Sequence, residues 1–138
     1  MDKDVAGAKL ESLRRCVRRL REKTPATAET LSNDYDLQDI ISVNLERAVQ
    51  VCVDLAAHVI ADAELPAPTA MSESFEQLCR LGLISAELAT RMKRAVGFRN
   101  IAVHAYQQIN WLMVYSIITT RLEDFRVFAD AVARAAGL

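Results

Sequence analysis

Between Ile41 and Ile60 the apolar side chains recur every three or four residues along two adjacent lines, Ile41, Leu45, Ala48, Cys52, Leu55 and Val59 on one and Val49, Val53, Ala56 and Ile60 on the other. That spacing is the period of an α-helix and fits no strand, in which alternate residues face one side. A helix that is apolar over so wide an arc has two surfaces to bury, one in its own core and one elsewhere. A second copy of the chain is one such surface.

The same period appears in the flanking segments. Leu10, Leu13, Val17 and Leu20 form a stripe with Cys16 beside it, and Arg14, Arg15, Arg18, Arg19 and Arg21 occupy the other positions. Thr24-Pro25 should end this amphipathic helix, because the residue before proline is pushed out of helical conformation. A polar connector to about Tyr35 is expected next, with Asn33, Asp34 and Asp36 as candidate caps for the long helix. Leu65-Pro66-Ala67-Pro68-Thr69 reads as a loop, and Ser72 or Ser74 as the cap of a short helix carrying Phe75, Leu78 and Cys79 and closed by Gly82. Ser85 should cap a further helix through Leu88, Met92, Ala95 and Val96, with Gly97 as a possible bend. Asn110 should cap a last one through Trp111, Val114, Ile118, Leu122, Phe125, Ala129 and Val132, ending at Gly137.

Four long helices and one short, packed as an up-and-down bundle, is therefore the expected all-α architecture, with residues 1–138 forming one domain. With only four Gly and three Pro, the composition suits helices better than a turn-rich sheet. No apolar run approaches the roughly 18 residues of a membrane span, and the charged start lacks the apolar core of a signal peptide, so a cytoplasmic protein without a membrane role is expected. Three widely separated cysteines without Cys-x-x-Cys spacing argue against a disulfide framework or a zinc site.

The formal net charge of −1 excludes a generally basic nucleic-acid binder, but the charge is uneven. Residues 1–24 hold eight Lys or Arg against four acids, residues 25–76 one against ten, and residues 77–138 eight against four. The acidic middle reads as a solvated helix face, as do the arginines of the first helix. Asp54 and His58, four apart on the long helix, read as a structural hydrogen-bonded pair.

Phosphate-binding glycine loops, dinucleotide fingerprints, nucleophile elbows and His-x-x-x-His pairs are all missing from the sequence. What stands out is one dense polar cluster between apolar stretches: Arg99, Asn100, His104, Tyr106, Gln107 and Gln108. If residues 98–109 are helical, Tyr106, Arg99, Val103, Gln107, Asn100 and His104 share an arc of roughly 160°. Asn100 and His104 then adjoin, so that the amide can orient the imidazole. A histidine that titrates near neutrality and an arginine whose fork of donors matches phosphate oxygens suit RNA cleavage by the RNA's own 2′-hydroxyl. That reaction needs a base, an acid and a cation for the phosphorane charge, and no metal or other cofactor. One chain supplies one such histidine; a two-fold dimer would supply two. Alternatives of other classes are a helical subunit that binds nucleotide or substrate for a nucleotidyltransferase without catalysis, and a dimerisation domain whose polar cluster only satisfies itself.

The stretch Gly97-Phe98-Arg99-Asn100-Ile101-Ala102-Val103-His104-Ala105-Tyr106 resembles the Arg-x4-His-x-Tyr motif of the HepT-like toxins, a branch of the HEPN superfamily of helical ribonucleases. The run from Leu37-Gln38-Asp39 through Asn44-Leu45, Cys52-Val53-Asp54 and His58 is similar to that family's long second helix, and Glu123-Asp124-Phe125 to its end. The resemblance implies a metal-independent endoribonuclease toxin with Arg99 and His104 as its catalytic pair, Asn100 as the supporting residue and a homodimer with a shared cleft. It also implies an MntA-like minimal nucleotidyltransferase antitoxin that transfers AMP to Tyr106.

Overall fold

The computed structural model describes residues 2–138, and among them it contains seven α-helices and no strand. Helix α1 (Lys3–Lys23) starts on Asp2, whose carboxylate accepts from the amides of Asp4 and Val5. It buries Ala6, Leu10, Leu13, Cys16 and Leu20 and stops at extended Thr24, ahead of Pro25. Helix α3 (Tyr35–Asp62) is capped by Asp34, which accepts from the Leu37 amide at 3.1 Å. At 28 residues it is about 42 Å long and forms the axis of the molecule, with α1, α4 (Met71–Arg80), α5 (Ala86–His104) and α7 (Glu123–Ala135) packed around it.

Both apolar lines of α3 are consumed inside the chain. Ile41, Ala48, Val49, Cys52, Leu55 and Ala56 are wholly buried, and even Val53, the least covered, is only 8 % exposed. The wide apolar arc is thus covered by α1, α4, α5 and α7, and neither line is left free for a second subunit. Phe75 of α4 and Phe128 of α7 close the core in an edge-to-face contact with centroids 5.7 Å apart.

The all-α architecture is as expected, but the elements are more numerous than four long helices and one short. The connector after Pro25 contains α2 (Ala28–Asn33), capped by Thr27 and anchored by the fully buried Leu31. Six residues are too few to display a period. The last apolar series spans two helices, α6 (Trp111–Thr120) and α7, divided at Arg121 and Leu122. Leu122 and Phe125 both stay buried across the break, so the spacing of apolar residues does not register it. Asn110 and Ser85 cap α6 and α5 through the amides of Met113 and Leu88.

Neither Ser72 nor Ser74 caps α4. Ala70 holds that position, Ser74 is buried within the helix, and Glu73 instead accepts from the Thr69 amide and hydroxyl at 3.0 and 2.7 Å. Gly82 lies just beyond α4 with φ 77°, a left-handed conformation that glycine adopts without steric cost. Helix α5 runs through Gly97 without interruption.

Candidate functional site

The polar cluster sits at the carboxyl end of α5, and the packing of that helix fixes where it points. Leu88, Ala89, Met92, Val96 and Ala102 face the core. Arg91 is bound at 2.9 Å to Asp124 of α7, whose side chain is only 15 % exposed, and Lys93 pairs with Glu76 of α4. With its inner face buried and both flanks tied, α5 presents Arg99, Asn100, Val103 and His104 on its last two turns.

Arg99 is half-buried. Its Nη1 donates to Asn100 Oδ1 at 3.3 Å, the long end of hydrogen-bonding distance, while its Nε is buried without a partner. No carboxylate pairs with it among the described residues. A buried donor left unpaired is costly, and a guanidinium with no counter-charge among the described residues has the donor fork that suits an anion. Asn100 and His104 are exposed. The structure directs the Asn100 oxygen to Arg99, and no hydrogen bond joins Asn100 to His104 among the described residues. His104, the final residue of α5, projects freely.

Tyr106 departs from the expected arc. Helix α5 ends at His104, Ala105 takes φ −149° and ψ 53°, and Tyr106–Gln108 form a single 3₁₀ turn. The change of direction brings the Tyr106 ring edge-on to Trp111, with centroids 6.0 Å apart, and its hydroxyl donates to Asp39 Oδ1 of α3 at 2.7 Å. Partial burial, together with donation to that carboxylate, raises the phenol above its ordinary value, and the Ser42 hydroxyl pulls the other way. Asp39 belongs to the site by contact, and reasoning from the sequence does not single it out for a role. It lies 67 residues from Tyr106, and only the fold brings the two together.

Exposed apolar residues surround this polar group along the chain. Ile101 and Val103 on α5 are 42 % and 43 % exposed, and Leu112 and Met113 at the start of α6 are 65 % and 61 % exposed. The arrangement offers a guanidinium without a carboxylate partner among the described residues, an exposed imidazole and a partly exposed phenol within one short stretch of chain.

Residues 13–132 match the family described as ribonuclease HepT-like. The chain is 33 % identical to the mRNA nuclease HepT of Shewanella oneidensis over 129 residues, covering 94 % of this chain and 96 % of that protein. It is 22 % identical over 128 residues to the tRNA nuclease HepT of Aphanizomenon flos-aquae, covering 93 % and 87 %. Among solved structures it is similar to a tri-AMPylated Shewanella oneidensis HEPN toxin in complex with an MNT antitoxin, with a TM-score of 0.89, 32 % identity and coverage of 97 % and 99 %. A toxin–antitoxin structure with AMP-PNP superposes with a TM-score of 0.87 at 32 % identity, covering 96 % and 99 %.

Proposed function

The chain belongs to the HepT-like ribonuclease family, and on that footing we propose that it is a metal-independent endoribonuclease toxin whose site is completed by a second copy of itself. The observation that carries the site assignment is the half-buried Arg99 with its unpaired Nε, five residues before an exposed His104. Arg99 binds the scissile phosphate and stabilises the charge that builds on its oxygens. His104 of one copy takes the proton from the 2′-hydroxyl as that oxygen attacks phosphorus, and His104 of the other protonates the departing 5′-oxygen. Asn100 supports the pair by holding the Arg99 guanidinium. The exposed Ile101, Val103, Leu112 and Met113 are the apolar surface through which two copies meet, since the arc of α3 is already covered.

In this reading the whole chain, residues 1–138, acts as one cytoplasmic domain. Its partner is an MntA-like minimal nucleotidyltransferase, as in the neighbouring structures of toxin with antitoxin. The Tyr106 hydroxyl attacks the α-phosphorus of ATP, pyrophosphate leaves, and the phenolic proton, already shared with Asp39, is released. The attached AMP places bulk and negative charge beside Arg99 and so competes with RNA for it.

Incubating the purified protein with labelled messenger and transfer RNA in chelator tests the proposal. Cleavage leaving 2′,3′-cyclic phosphate ends is expected, with His104→Ala slower by about 10²–10⁴-fold and Arg99→Ala by about 10²–10³-fold. A His104→Ala protein that cuts as fast as wild type overturns the assignment. Nucleotide binding without any RNA turnover would make the chain a binding subunit instead.

A further inference from the structure

His104 ends its helix, so the anchoring of the next few residues determines how firmly it is held. Ala105 stays tied to α5 through its amide, which donates to the Ile101 carbonyl at 2.8 Å. The 3₁₀ turn closes on itself through Gln108 N to Ala105 O at 2.8 Å and Ile109 N to Tyr106 O at 3.2 Å. These bonds are all local. Ile109, 8 % exposed, anchors the far side of the turn in the core. On the near side, beside His104, Tyr106 is tied to α3 by its hydrogen bond to Asp39, with the Ser42 hydroxyl also against the phenol, and it leans edge-on against Trp111 of α6.

Asp39 stands on a rigid ledge. Its neighbour Gln38 is buried and donates to the carbonyls of Leu31 and Ser32 at 3.0 and 3.1 Å, clamping this part of α3 to α2. The buried Ser42 donates to the Asp39 carbonyl at 3.2 Å. The carboxylate itself is exposed and has no cationic partner among the described residues. Its hydrogen-bonded contact is Tyr106.

We propose that Asp39 is a positioning residue of the RNA-cleaving site, acting through the Tyr106 hydroxyl to fasten the turn after His104 to α3. The inference rests on the nuclease reading above and adds to it a second consequence of modification. A nucleotidylated Tyr106 has no phenolic proton to donate, and its phosphodiester sets one negative charge against another at Asp39. The modified side chain must therefore leave α3, and the turn loosens along with it. Modification then disables the site by unfastening His104 as well as by occupying the cleft.

The test compares RNA cleavage by the full-length wild type with that of Asp39→Ala, Asp39→Asn, Tyr106→Phe and the double variant Asp39→Ala/Tyr106→Phe, with His104→Ala as the inactive reference. Asp39→Ala and Tyr106→Phe are each expected to lower kcat about tenfold with KM changed less than about threefold, and the double variant to be no slower than either single. Asn keeps an oxygen that can accept from the phenol, so Asp39→Asn should restore most of the rate. Hydrogen exchange at residues 105–109 should quicken in Asp39→Ala and return to wild-type values in Asp39→Asn. Both partners are exposed, so the fold should persist, and unchanged exchange in the core of α3 checks that it does. Full-rate cleavage by Asp39→Ala while His104→Ala is inactive overturns the positioning role, as do additive losses in the double variant. Wild-type protein that cuts no RNA removes the nuclease reading, and the positioning role falls with it.

Discussion

At the scale of single residues, Tyr106 joins the sequence motif to the rest of the fold. Its phenol is raised above its ordinary value by burial and by donation to Asp39, so deprotonation would forfeit the bond and set two anions together. A group whose folded value is raised contributes stability below its unfolded value, and that contribution is lost as pH rises through the folded value. Holding the turn to α3 is therefore unaffected at neutral pH and weakens only in alkali, above the ordinary range of tyrosine near about 10. An ultraviolet difference titration of wild type against Tyr106→Phe should place this phenol above that range. The same measurement in Asp39→Ala should bring it down. Arg99, Asn100, His104 and Tyr106 stand out in the sequence as candidates because they fall within one stretch of eight residues. Asp39 cannot be given a role there, because its partner is remote in the chain and neither residue breaks a local pattern.

Among the elements, legibility depends on length. Helices α1, α3 and α5 each run at least 19 residues, long enough for three-and-four spacing to accumulate, and Asp34, Ser85 and Asn110 each cap as their side chains allow. Helix α2 is too short to show a period, and the division between α6 and α7 has neither Pro nor Gly to mark it. The end of α5 at His104 is equally unmarked, so an arc drawn over residues 98–109 extends a helix that in fact stops. Gly97 is ordinary helix rather than a bend, and a methyl group built there meets nothing within 4 Å. Gly7 in α1 is equally open. Gly7→Ala should stabilise the chain by about 0.5–1 kcal/mol, because alanine restricts the unfolded chain and suits a helix better. Gly97→Ala should gain a similar amount in the isolated chain. Denaturant unfolding at low protein concentration checks both.

For the molecule as a whole, burial is centred on α3, and its cysteines report on it. Cys52 is fully enclosed, and burial, with a smaller contribution from Cys16, pushes its thiol well above its ordinary value. Burial raises Cys16 too, although Arg47 and Arg15 pull against it, while Cys79 is only half-buried. Thiolate is the reactive form, so iodoacetamide at neutral pH should modify Cys79 first. Cys16 and Cys52 should react together, at the rate of global opening, and accelerate in parallel when denaturant is added. Mass spectrometry of timed samples distinguishes that pattern from independent local openings. The apolar arc of α3 foretells a large buried area correctly but misdirects its use, since periodicity records how much surface is covered and not by which part of which chain.

The solitary exposed His104 at the end of α5 bears on dosage. In the two-copy site proposed above, each chain carries half of a proton relay, and complete sites form only by encounter. Below the dissociation constant of the pair their number rises with the square of chain concentration, so halving synthesis would cut activity roughly fourfold. Sparse chains emerging from translation would be nearly inert, and harm would set in over a narrow range of abundance. An antitoxin would then have to remove only enough chains to bring the population back below that range.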